Sequence, residues 1–146
     1  MKKFTNFTKK IFIFFLIFNL TFVSTTQAAG VFVDSFDVSG QFSLPEGVAF
    51  NNDGTKMFVT GQTADFVGEY TLTTGFDVST ASFVDSFDVS NEETAPAGLA
   101  FNNDGTKMFV LGRSGRDVTE YTLTTGFDVS SASVVDSFSV STQEND

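Results

Sequence analysis

The chain has 146 residues, with no cysteine and no histidine, and 18 acidic residues against 8 basic ones give it a net charge of −10. Without cysteine, neither a disulfide framework nor a lipid-bearing thiol can hold the protein, and without histidine the usual proton-transfer group is missing. Beyond residue 28 the clustered Lys and Arg that displace counterions from phosphate are also missing, which argues against nucleic acid and anionic lipid surfaces as partners.

At the N-terminus, Lys2, Lys3, Lys9 and Lys10 precede an apolar run from Ile11 to Val23, and a polar stretch then ends in Thr26-Gln27-Ala28. This pattern predicts a secretory signal peptide over residues 1–28, cleaved after Ala28, and a secreted or periplasmic product. The run is 13 residues long and contains Asn19 and Thr21. That is short of the roughly 20 residues needed to cross a bilayer, so no stable membrane insertion is expected after cleavage. The remaining domain, 29–146, keeps all 18 acids but only Lys56, Lys107, Arg113 and Arg116 as bases, a formal −14. Such acidity serves solubility and export, with divalent-cation binding as the competing explanation.

Residues 34–84 and 85–135 align without a gap at an offset of 51, with 35 of 51 positions identical, and a partial third copy starts at Asp136. The repeat is therefore the structural unit. Within it, four short runs rich in β-branched and aromatic residues alternate with turn residues, and no stretch keeps a 3.6-residue period. The first predicted strand is Gly47 to Phe50. Asn51-Asn52-Asp53-Gly54 tolerates positive φ and closes a tight hairpin into a second strand, Thr55 to Thr60. A loop over Gly61 to Asp65 leads to a third strand, Phe66 to Leu72. Thr73-Thr74-Gly75 turns the chain, and the fourth strand runs from about Phe83 to Val89. The expectation is an all-β fold of two four-stranded antiparallel sheets plus an extra outer strand at Val31 to Ser39.

Thirteen phenylalanines lie beyond residue 28, many at equivalent positions such as Phe50 and Phe101 or Phe58 and Phe109. Alternation places Met57 and Phe58 on opposite faces, and one sheet cannot cover both, so neighbouring repeats must stack.

An inner strand ending in Asn-Asn-Asp-Gly-Thr-Lys, followed by Met-Phe-Val and then Glu-Tyr-Thr-Leu, resembles a β-propeller blade of the YVTN-type family. Phe58-Val59-Thr60-Gly61 and Phe109-Val110-Leu111-Gly112 stand where that family has Tyr-Val-Thr-Asn. The resemblance implies propeller-like blades, which usually close in rings of about four to eight. Val31 to Ser39 and Val134 to Ser141 are both outer-strand copies, so three outer strands serve two sets of inner ones. One expectation is a homo-oligomer in which 31–39 completes a neighbouring chain's blade; the other is a piece of a longer propeller.

In a four-stranded meander the first and third turns share one end, and these are unchanged between copies. The divergence falls at the opposite rim, over Gly40 to Glu46 and Gln62 to Gly68 and their counterparts. The candidate binding residues there are Gln41, Phe42, Asp65 and Phe66 in the first copy, and Glu92, Glu93, Arg113, Arg116 and Asp117 in the second. Paired arginines can grip a carboxylate or sulfate, while plain drift of exposed loops is the competing explanation. Asp53 and Asp104 are expected to bond local amides rather than a metal. Glu69 and Glu120 are expected to pair across strands with Lys56 and Lys107. No metal or other cofactor is expected. The function expected is that of a non-catalytic module binding a protein or glycan through the variable rim, with a structural surface repeat as the alternative. A lactonase-like enzyme, which the resemblance allows, ranks third because only carboxylates remain for acid–base work.

Overall fold

The computed structural model describes residues 30–143; the predicted signal peptide lies outside them. A compact unit begins at Phe32. It contains eight strands among the described residues, in two antiparallel four-stranded meanders. The first sheet is β1 (Pro45–Phe50), β2 (Lys56–Gly61), β3 (Ala64–Leu72) and β4 (Ala81–Asp88). The second is β5 (Pro96–Phe101), β6 (Lys107–Gly112), β7 (Asp117–Leu123) and β8 (Ala132–Ser139). Each predicted strand is present: β1 and β3 start two residues earlier than expected, β2 keeps its length but shifts by one, and β4 starts two residues earlier and ends one earlier. The expected loop over 61–65 shrinks to the turn Gln62–Thr63, because Ala64 and Asp65 join β3.

The β1–β2 hairpin closes as its residues dictate. Gly54 and Gly105 take φ of 72° and 70°, and Asp53 Oδ1 accepts from Thr55 N at 3.0 Å and from its hydroxyl at 2.6 Å. These bonds hold the Asp53 carboxyl below its ordinary pKa, as the equivalent bonds from Thr106 do for Asp104. At the β3–β4 and β7–β8 turns the left-handed residues are Phe76 and Phe127, at φ 61° and 58°, rather than the neighbouring glycines. Gly75 is needed for close approach instead: a Cβ there would lie 2.3 Å from the Asp53 carbonyl oxygen. Asp77 and Asp128 cap the one-turn helices that follow, accepting from Ser79 N and Ser130 N.

The sheets stack face to face, as the phenylalanine pattern requires. Phe58 and Val67 of the first sheet pack with Met108, Val110, Tyr121 and Leu123 of the second in one core. The opposite face of the first sheet, with Met57, Val59, Tyr70 and Leu72, forms another core with Phe42, Phe36 and Val38.

One expectation is corrected: no strand forms over residues 31–39. The segment packs by its side chains, and Val38 O accepts from Gln41 N and Phe42 N. Phe36 meets Tyr70 edge-on at 5.6 Å and 76°, as Phe87 meets Tyr121 at 5.5 Å and 79°.

Candidate binding surfaces

The turns divide between two ends as the meander demands. At the invariant end, Phe76 N donates to Gly54 O and Leu72 N to Thr55 O. At the variable rim, Gln62 N donates to Leu44 O, and Arg113 N donates to Ala95 O.

The rim residues of the second repeat mostly engage one another. Glu93 is buried, and its carboxylate accepts from Ala95 N at 2.6 Å and Gly115 N at 2.9 Å, clamping the β6–β7 loop to the segment before β5. Asp117 lies beside it. Burial, and then the Glu93 charge, push the Asp117 carboxyl above its ordinary pKa, and its Oδ1 is buried without a hydrogen-bond partner. Gly112 and Gly115 make room for the pair, since a Cβ on either would collide with one of these carboxylates. Tyr121 OH meets no partner in hydrogen-bond geometry. Burial first, and then the nearby Glu92, push its phenol strongly upward.

Arg113 reaches across the sheets to Glu46 at 3.2 Å, with both side chains solvated. Arg116 is exposed at the loop tip, with φ 51°. In the first repeat, Gln41 is exposed and accepts from Tyr70 OH at 3.2 Å. Phe42 is a core residue, packed on Phe66 at 4.8 Å and over Gly68, and presents no surface to a ligand. Asp65 and Phe66 line a polar hollow of about 340 Å³ with Ser86, Asp88 and Ser90. No group of three or more metal-ligating side chains occurs among the described residues.

The sequence reading missed a different surface. On the face of the first sheet turned away from the second lies an apolar recess of about 300 Å³, lined by residues that include Phe36, Val38, Val48, Met57 and Val59, with Glu46 at its lip. Shifted by one repeat, these positions are Phe87, Val89, Leu99, Met108 and Val110, all packed in the inter-sheet core around Phe58 and Val67. The repeat gives no signal of it, because Phe36, Val38, Met57 and Val59 are identical to their counterparts and only the fold leaves one copy's face open.

The far face of the second sheet is the less covered of its two faces. Phe58 and Val67 are fully buried, whereas their counterparts Phe109 and Val118 are only partly covered and border an open groove with Glu120 and Phe138. Glu69 is 5% exposed at its side chain and pairs with Lys56 at 2.6 Å. Glu120 pairs with Lys107 in the same way, but is 30% exposed. Both pairs are the cross-strand contacts expected from the sequence.

No protein-family profile matches the chain, and no curated protein does. Among solved structures it is similar to a provisionally assigned 6-phosphogluconolactonase from Bacteroides uniformis, with a TM-score of 0.51 and 14% identity. The match covers 65% of this chain and 26% of that one, so the likeness spans about a quarter of the larger protein and concerns the fold alone.

Proposed function

We propose that this chain is an exported, propeller-type repeat module that binds a protein partner through its apolar sheet faces and performs no chemistry of its own. The observation that carries the reading is the recess beside Met57 and Val59, an apolar hollow at positions that the second repeat fills with the first repeat's side chains. Contiguous apolar surface of this kind marks an interaction site. The leader-like residues 1–28 support export, and the 51-residue repeat together with the lactonase fold likeness supports the propeller assignment. The rim has a holding role in this reading, because Glu93 and Arg113 use their charges to fasten loops and sheets.

The test is a photo-crosslinking residue placed at Val48, which is 59% exposed in the recess, with Ser130 at the invariant end as control. In the exporting cell, Val48 is expected to form a protein adduct and Ser130 none. An adduct from Arg113 or Arg116 in place of Val48 would transfer binding to the rim. The fold likeness favours a second reading, a lactone hydrolase, with Glu69 or Glu120 as the acid–base group. Hydrolysis of 6-phosphogluconolactone by the purified chain, lost on Glu120→Gln, would replace the binding reading with that one.

A further inference from the structure

The contacts between the two sheets serve as a template for a contact between two chains. Phe58 packs against Phe101 at 4.5 Å and Phe127 at 6.3 Å. Lys56 Nζ donates across the interface to Phe127 O at 2.6 Å, Val129 N donates back to Glu69 Oε2 at 3.1 Å, and Asn52 Nδ2 donates to Asn103 O at 2.6 Å. Every first-sheet member of this set recurs on the open face of the second sheet, as Phe109, Lys107, Glu120 and Asn103. Every second-sheet member recurs on the first sheet, as Phe50, Phe76, Val78 and Asn52. The receiving aromatic pair is already in position, since Phe50 and Phe76 lie 5.6 Å apart and Phe101 and Phe127 lie 5.5 Å apart. Phe76 is 61% exposed.

The outer strands show the same incompleteness. β4 has two sets of contacts: a backbone ladder to β3, pairing Val67 with Phe87 and Glu69 with Asp85, and side-chain packing of Phe87 on Tyr121 of the next sheet. Its two sequence copies hold one set each. Residues 32–38 pack Phe36 on Tyr70 without joining a sheet. β8 keeps the ladder, pairing Val118 with Phe138 and Glu120 with Asp136, but Phe138 is 69% exposed.

We propose that the second sheet of one chain stacks on the first sheet of a second copy, in continuity with the internal stacking. Phe109 enters the second copy's recess, and the second copy's residues 32–38 take the place of β8 beside β7. The register follows from the repeat, with Val118 opposite the second copy's Phe36 and Glu120 opposite its Asp34. One strand then carries both the ladder and the face packing, as β4 does. The contact is heterologous, so repetition of it closes a ring or extends a filament. This proposal rests on the binding reading above and names its partner.

The experiment uses the chain from Ala29, which includes the whole compact unit. Light scattering at tens of micromolar is expected to give a multiple of the chain mass. Phe109→Asp is expected to return the single-chain mass while leaving the circular dichroism spectrum intact, because Phe109 lies on the open face. The chain has no native cysteine, so a mixture of Ser35→Cys and Thr119→Cys chains is expected to form a mixed disulfide that neither variant forms alone. A single-chain mass for the unsubstituted protein overturns the proposal. So does an oligomer that survives Phe109→Asp, or one that forms with no mixed disulfide. In any of these cases a Val48 adduct to a different protein would leave the binding reading standing, whereas the absence of any Val48 adduct would sink that reading as well.

Discussion

The rings of Phe42 and Phe66 lie 4.8 Å apart at an interplanar angle of 42°, and 51 residues further on the same two positions are Glu93 and Asp117. One repeat thus closes its rim with an aromatic pair and the other with two carboxylates. Gly68, over which Phe42 lies, becomes Thr119. The acid pair sets up a pH dependence. Burial and Glu93 raise the Asp117 pKa above 3.8, so the folded state holds that proton more tightly than the unfolded chain does. The group's contribution is most favourable below 3.8 and becomes adverse as pH rises through the raised value. Asp117→Asn is therefore expected to stabilise the protein at pH 7, with the gain shrinking toward about pH 4. Urea unfolding at both pH values checks this; a gain that grows on acidification would contradict it.

Acid also acts in the opposite sense elsewhere. Local bonds from Ser39, Thr55, Ser90 and Thr106 lower the carboxyls of Asp37, Asp53, Asp88 and Asp104. Their contribution is present above the ordinary value and lost as pH falls through the lowered ones. In the Asp117→Asn background, where the opposing group is gone, unfolding is expected to be favoured monotonically by acid below about pH 4, as a titration followed by circular dichroism would show.

Equivalent phenylalanines should behave unequally. Phe58 is fully buried between the sheets and Phe109 only partly covered. Phe58→Ala is expected to destabilise the single chain by about 3–5 kcal/mol. Phe109→Ala should cost less than about 1.5 kcal/mol under dilute conditions that keep chains apart. Equal losses, measured by denaturant titration, would mean that the second sheet's far face is covered in the single chain.

The two Lys–Glu pairs supply a parallel comparison. Glu69 is buried and also accepts from Val129 N, so Glu69→Ala leaves Lys56 and a buried amide without that partner and is expected to cost about 3 kcal/mol or more. Glu120→Ala removes a solvated pair and should cost about 1 kcal/mol or less. Thermal melts at matched low concentration would read the difference, and similar shifts would contradict the assigned burial.

At the invariant end, Gly75→Ala is expected to destabilise strongly, by about 2 kcal/mol or more, because the new methyl would lie 2.3 Å from the Asp53 carbonyl oxygen. Gly40→Ala meets nothing within 4 Å and should change stability by less than about 0.5 kcal/mol. Chemical denaturation of both variants provides the check.

The sequence by itself determined the repeat, the four-strand meander, the Asn-Asn-Asp-Gly hairpin and the placement of variation at one rim, because these depend on local spacing and turn chemistry. It also required stacking, since Met57 and Phe58 face opposite ways and both are apolar. Tertiary structure decided the rest. It put Phe42 and Glu93 inside rather than on the rim, because the loop carrying each folds over the strand beside it. It gave the left-handed turn to Phe76 instead of Gly75, because Gly75 was needed where the Asp53 carbonyl approaches. It left residues 31–39 without a ladder, and it showed which stacking faces are open. Residues identical in the two copies differ in exposure only through what the neighbouring sheet covers, and that contact is non-local.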